Sequence, residues 1–437
     1  MLALAQYQGS SAAQATIARA SARLEPGRDP GGELLLRALA DNDTARQFAL
    51  LSASTQEQRL DPLFQWVLGS AAHGSRHEAD AEAAFRQVNR MRPDLQAGSD
   101  LFNLLSLAGR PDEAKTFARQ WAADNPDGEE AQLTWARVAV LEHRAADVDA
   151  ALERLLLVHG EKLHRLVPIC RLSIEVGNLA RTRRLAERLL SGDVLEQNMG
   201  RYFLGETDVL AGRLNQARES FQTAYDLGHT QGTAGNAVQA LEEQRSIAEV
   251  LGDQEALQRV DTLRIEQFTR LGLREMVAYA TFERALAQRG SGPCPQIAPV
   301  LESLSTGPVH VMLEMLLVRA AAVAGCRPCA DAVRLGQGSA ELEQRSLFHL
   351  AQCAEQTGDL ALAERTYARV TWVGAGSGTY GATAHGVLAL WRRSRLLAKL
   401  GRADESLALA REFLQRWSQT DRPVPGVDEA RAALRSR

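Results

Sequence analysis

The sequence predicts an all-α solenoid of stacked helical hairpins, and three observations carry that prediction. Residues 202–228, YFLGETDVLAGRLNQARESFQTAYDLG, read as two short amphipathic helices around a tight turn. In that stretch Gly205 lets a second helix pack close, and Gly212 supplies the positive φ that ends a helix. Ala217, Phe221 and Ala224 follow at i, i+4 and i+7, one face of the second helix. Similar hairpins recur: Pro93 and Pro126 each stop a second helix, about 33 residues apart. Composition agrees. Ala, Leu, Arg and Glu dominate and aromatics are only 5% of residues, which suits long helices with small residues at their contacts rather than sheets.

Along the chain, residues 1–60 read as an irregular helical cap, broken by a Pro- and Gly-rich loop at 26–32. Regular repeats are expected over 61–228. They open at Asp61-Pro62, an N-cap followed by Pro at the first helical position. Leu68-Gly69, Ala81, Phe85 and Pro93 mark one unit, and Gly109-Arg110, Ala114, Ala118 and Pro126 the next. Residues 131–160 keep the periodicity without a turn glycine, and 163–192 regain one at Gly177. Between 229 and 340 the helices lengthen and lose regularity. There 234–251, 253–270 and 273–288 are followed by a Pro-rich loop, a short helix at 297–304 and an apolar helix at 310–324, too short to span a bilayer. The polar run Glu242-Glu243-Gln244-Arg245 reads as a solvated helix face. Residues 341–437 return to repeats around Gly358, Ala363 and Tyr367, then Gly401, Leu407 and Ala410, and end on a capping helix at 427–434.

The order Leu-Gly, Gly, then Ala, Phe and Ala at these offsets resembles the tetratricopeptide repeat (TPR). That resemblance implies a right-handed superhelix whose first helices line a concave groove. Placed by the TPR offsets, Trp66, Tyr202, Glu206, Phe348, Gln352, Trp391 and Arg395 are the expected partner-binding residues. Aromatics and Arg are the side chains that most often anchor interfaces. Arg392, Arg393 and Arg395 beside Trp391 form a dense basic cluster, suited either to an acidic peptide or to a solvated face. The Lys, Asn and Arg set that clamps a peptide carboxylate in chaperone-binding TPRs is not reproduced together.

Further likeness lies in the last sixty residues or so. Leu396-Leu397-Ala398-Lys399-Leu400-Gly401-Arg402, Arg411 to Trp417, Asp421 to Pro425 and Glu429-Ala430 resemble the C-terminal end of helical-repeat regions in bacterial eukaryotic-like serine/threonine kinases. Related repeats occur in bacterial multidomain transcription regulators. This implies a sensory or docking region working through a partner domain, as an alternative to a free-standing scaffold.

Charge and motifs narrow the function. A net charge of −4 over 437 residues argues against nucleic acid as the main partner. The first residues lack a basic n-region, so the expectation is a cytoplasmic chain without membrane insertion, or an extracytoplasmic one if it is a piece of a membrane kinase. Gly376 to Gly381 spells G-x-G-x-x-G but has no βαβ unit around it and reads as a loop. His73 and His77 flank a turn and lack the Glu of a zinc hydrolase helix. Ser residues find no G-x-S-x-G context. The expectation is a non-catalytic protein- or peptide-binding scaffold with no cofactor and no metal. Its oligomeric state is not legible. Cys170 and Cys353 sit on apolar helical stretches as small buried residues. Cys326-Arg327-Pro328-Cys329 and Cys294 lie in turns, where incidental thiols, a disulfide from Cys294 to one of the pair, or a metal site all remain open.

Overall fold

The structure, a computed structural model, describes residues 30–40, 44–142, 144–160, 163–231, 234–289, 292–302, 308–336, 344–370 and 383–435. Residues 1–29 of the expected N-terminal cap and the G-x-G-x-x-G loop at 376–381 lie outside the described residues. Every regular element described is helical. The chain divides into two compact units, residues 1–161 and 162–437.

In the first unit, α1 (Pro30–Ala40) and α2 (Thr44–Ser52) precede a single 3₁₀ turn at Gln58–Leu60. Three hairpins follow: α3 (Pro62–Gly74) with α4 (Glu78–Met91), α5 (Ala97–Leu107) with α6 (Pro111–Asp124), and α7 (Glu129–Leu141) with α8 (Ala145–His159). Asp61 caps α3 as its sequence suggests, accepting from the Leu63 and Phe64 amides ahead of Pro62. Ala72, Ala81, Phe85, Leu101, Leu105, Ala114 and Ala118 interlock in one buried core. Each large apolar side chain so buried contributes about 1.5–3 kcal/mol.

The hairpin turns share one hydrogen-bond pattern. Arg213 N–H donates to the Asp208 carbonyl across Gly212, which sits at φ 76°. Arg110 to Leu105, Asn178 to Ser173 and Arg402 to Leu397 repeat this six-residue closure. Between α3 and α4 the left-handed position is held by Arg76 (φ 63°) instead of glycine, while His77 still closes on Ala72.

The second unit runs through α9 (Leu163–Glu175), α10 (Leu179–Leu189), α11 (Val194–Leu210), α12 (Leu214–Gln231), α13 (Ala234–Leu251), α14 (Gln254–Arg270) and α15 (Arg274–Gln288). It continues with α16 (Ala298–Glu302), α17 (Pro308–Val323), α18 (Cys329–Gly336), α19 (Gln344–Gln356) and α20 (Leu360–Arg369). The last three helices are α21 (Thr383–Lys399), α22 (Ala403–Trp417) and α23 (Val427–Arg435). Gly205 on α11 lies against Phe221 on α12, the same offset and contact that join Gly69 to Phe85 in the first unit.

This unit closes on itself. Helix α21 packs against α11 and α13 as well as against its chain neighbours. Trp417, fully buried, donates its indole N–H to the Val209 carbonyl at 2.8 Å. Asp421 accepts from the Leu214 and Asn215 amides at 2.8 and 2.9 Å, so a residue two hundred positions later caps α12. Arg422 reaches Asp253 at 3.1 Å.

Closure overturns the reading of residues 242–245 as a solvated face. Glu242, Glu243, Gln244 and Arg245 are each at most 7% exposed. Their charges are met by partners from α14, α15, α19 and α21 that come from distant sequence. The cysteine expectations also change. Cys294 is bonded to Cys326, and Cys329 to Cys353, so Cys353 is half of a bridge instead of a lone buried thiol. Cys170 is buried and unbridged, as expected.

Candidate functional site

Within the second unit, α13, α19 and α21 enclose a groove of about 560 Å³. Residues on each helix recur at helical spacing to face it: Arg245 and Glu249 on α13; Arg345, Phe348, His349 and Gln352 on α19; His385, Leu388, Trp391, Arg392 and Arg395 on α21. Glu429 and the Pro425-Gly426 turn complete one rim. Gly426 is needed there because the Trp391 ring fills the space a Cβ would take. On its other side Trp391 stacks on Phe413, with centroids 6.0 Å apart.

The floor is a buried charge network. Arg345 donates Nε and Nη2 to the two Glu249 oxygens, both at 2.8 Å, and Arg245 also pairs with Glu249. Arg245 Nε donates to Asp261 at 2.7 Å; Arg264 bonds Glu242, Asp261 and Glu283 at 2.7, 2.9 and 3.0 Å. Arg345 also bonds Glu283. Charges this deep are tolerated only when paired and hydrogen-bonded. Burial acts to raise the Glu249 carboxyl, but Arg245 and His385 outweigh it and hold it at about 2. Burial lifts Glu283 to about 7 against the pull of Arg245 and Arg264. Burial lowers the His349 imidazole to about 4, so the ring is neutral at physiological pH.

His385 is buried and oriented from both ends. Its Nδ1 lies 2.8 Å from Ser246 Oγ and its Nε2 3.3 Å from Glu249 Oε2. Its ring also meets Phe348 edge-on, with centroids 4.9 Å apart. Glu249, His349 and His385 bring one donor atom each to within 4.8 Å of one another.

At the mouth, Arg395 is exposed, while Arg392 and Arg393 face Glu355 and Glu364 at 3.8 and 2.9 Å. Of the basic cluster, Arg395 is therefore the member turned to solvent.

The seven expected partner-binding residues fall in three places. Phe348, Gln352, Trp391 and Arg395 line this groove together. Tyr202 and Glu206 do not reach an open surface. They are 3% and 2% exposed, in a polar cluster where Glu206 accepts from Arg171 at 2.9 Å and Glu243 accepts from Thr383 Oγ1 at 2.8 Å. Arg171 from α9, Phe221 from α12 and Glu243 from α13 surround the Tyr202 ring. Trp66 belongs to the first unit, half-buried, with its indole N–H donated to Asp100 at 2.6 Å. Arg245, Glu249, Arg345, His349 and His385 escaped the sequence reading. Their only signal was polar residues at i, i+3 or i+4 on one helix face, which also describes a solvated face.

No family model matches the chain, and no curated protein matches it. Among solved structures it is similar to the TPR domain of P58(IPK), with 14% identity, 86% of this chain and 99% of that chain covered, and a TM-score of 0.22. A likeness at that score carries no argument about how the helices are arranged. The TPR-like character rests on the hairpins themselves: the shared turn, the glycine on the first helix and the aromatic on the second.

Proposed function

We propose that the chain is a non-catalytic scaffold whose second unit binds an acidic peptide segment of a protein partner in the α13–α19–α21 groove. The carrying observation is the mouth: exposed Arg395, with Arg392, Gln352 and the apolar faces of Phe348 and Trp391 around one concavity. Aromatic and guanidinium groups in a concave, partly desolvated setting are the usual anchors of recognition. A carboxylate would meet Arg395 while an apolar side chain enters beside Trp391 and Leu388. Because closure bounds the groove, its volume suits a few residues of a segment and not a long helix.

A regulatory role inside a larger signalling protein, the alternative from sequence, rests on the likeness of residues 396–430 alone. The scaffold reading is tested with an array of acidic and charge-reversed short peptides against the full chain and its Arg395→Glu variant. Arg395 is exposed, so the reversal leaves the fold intact. Acidic peptides should bind the parent, weaken with salt and lose at least tenfold affinity in the variant. Equal binding of both peptide classes, or no change in the variant, rejects the reading.

A further inference from the structure

The groove floor holds a set of side chains that peptide recognition does not use. Glu249, His349 and His385 come from three helices, and their donor atoms converge within 4.8 Å. Among the described residues this is the one group of three or more His, Cys, Asp or Glu side chains so gathered. We propose that these three residues form a binding site for a divalent transition-metal ion of the zinc class, with its remaining coordination position facing the groove.

Donor chemistry comes first. Two imidazoles and one carboxylate are a common protein donor set for zinc and its d-block neighbours, and three protein ligands leave a position for water or a ligand. Geometry agrees. Metal–ligand distances of about 2.0–2.2 Å in a tetrahedron put neighbouring donors about 3.3–3.6 Å apart. His385 Nε2 and Glu249 Oε2 already stand 3.3 Å apart. His349, half-buried on the groove wall, needs only a small ring movement to close the set.

The surroundings also fit. Ser246 Oγ, 2.8 Å from His385 Nδ1, can accept that N–H and leave Nε2 as the donor to a metal. Arg345 grips Glu249 through both oxygens and fixes the carboxylate, so the ion would sit between Glu249 Oε2 and His385 Nε2. Asp261, Glu242 and Glu283 balance the guanidinium charge that would otherwise repel a cation. The groove itself is the entry path. A metal here would tie α13, α19 and α21 together where the unit closes. The inference concerns the floor alone and stands whether or not a peptide occupies the mouth.

The test is titration of the chelator-stripped full chain with Co²⁺, read by visible d–d absorption, and with Zn²⁺, read by calorimetry and by the shift in thermal unfolding. His349→Ala and His385→Ala are compared with His73→Ala, whose imidazole pairs with Glu78 on the first unit. The expected result is one equivalent bound, an upward melting shift in the parent and in His73→Ala, and at least tenfold weaker binding in each groove variant. His385→Ala removes a buried ring and with it folding stability, so half-buried His349→Ala is the deciding variant, with its fold checked by circular dichroism. No stoichiometric binding to the parent, or unchanged binding in folded His349→Ala, overturns the proposal.

Discussion

Replacing Gly205 with Ala tests the packing on which the hairpins depend. A Cβ there would lie 2.6, 2.7 and 2.8 Å from Cε1, Cζ and Cδ1 of Phe221. Relaxed carbon contacts are about 3.5–4.0 Å. Phe221 is fully buried and held edge-on by Tyr202, with centroids 5.5 Å apart, so its ring has little room to withdraw. Overpacking of this kind costs about 1–3 kcal/mol. Against it, Ala is the better helix former by about 1 kcal/mol. Overpacking outweighs it, for a net loss of up to about 2 kcal/mol. Urea denaturation followed by circular dichroism measures it, and a cycle with Phe221→Leu isolates the contact. With the ring gone, Gly205→Ala should become neutral or stabilising, a coupling above about 0.5 kcal/mol. A more stable Gly205→Ala single variant, or an additive cycle, refutes the packing argument. Gly69 and Phe85 should behave alike in the first unit, where a Cβ on Gly69 would stand 2.7 Å from the ring.

Three single features carry further predictions. Arg76 occupies the left-handed region at φ 63°, so Arg76→Gly should stabilise the first unit by about 1 kcal/mol in the same denaturation assay; a loss would mean its side chain matters more than its backbone. Burial, then the neighbouring Glu206, lifts the Glu243 carboxyl from 4.5 to about 8, with Tyr202, Arg171 and Thr383 the other groups facing it. The folded state therefore prefers it protonated: its stabilisation is complete below about pH 4.5 and is lost as pH rises through about 8, at up to about 1.4 kcal/mol per unit. Glu243→Gln should make the stability–pH curve shallower across that window, and an unchanged slope contradicts the assignment. Finally, bridges spanning 32 and 24 residues should each add about 3–4 kcal/mol, seen as a lower melting temperature after reduction. Free thiols at all four positions in protein purified under air would contradict the bridges.

Local structure was legible because its causes are local. Asp61-Pro62, the turn glycines and the apolar face of residues 217–224 each act within one or two helical turns, and the helices form where those signals stand. Part of the groove lining was also legible: Phe348, Gln352, Trp391 and Arg395 lie at first-helix positions of repeats with clear periodicity. What stayed hidden depends on closure. Glu243 looks solvated until Thr383 is set against it, and Tyr202 looks like a groove residue until Phe221 and Glu243 pack against it. The donor set Glu249, His349 and His385 is spread over more than a hundred residues, and no local spacing links its members. Its assembly is a property of tertiary packing alone.

Closure of the second unit bounds the groove and brings the metal-donor set together, so it is the claim to test first. The direct measurement is amide hydrogen exchange at Leu214 and Asn215 in the parent and in Asp421→Ala. First-turn amides have no partner within their own helix, and here both are donated to Asp421. Closure predicts slow exchange at both in the parent and at least tenfold faster exchange in the variant, with a stability loss of about 0.5–2 kcal/mol for the lost cap. Fast exchange at Leu214 and Asn215 in the parent, unchanged by the substitution, would show that the C-terminal helices do not return to α12.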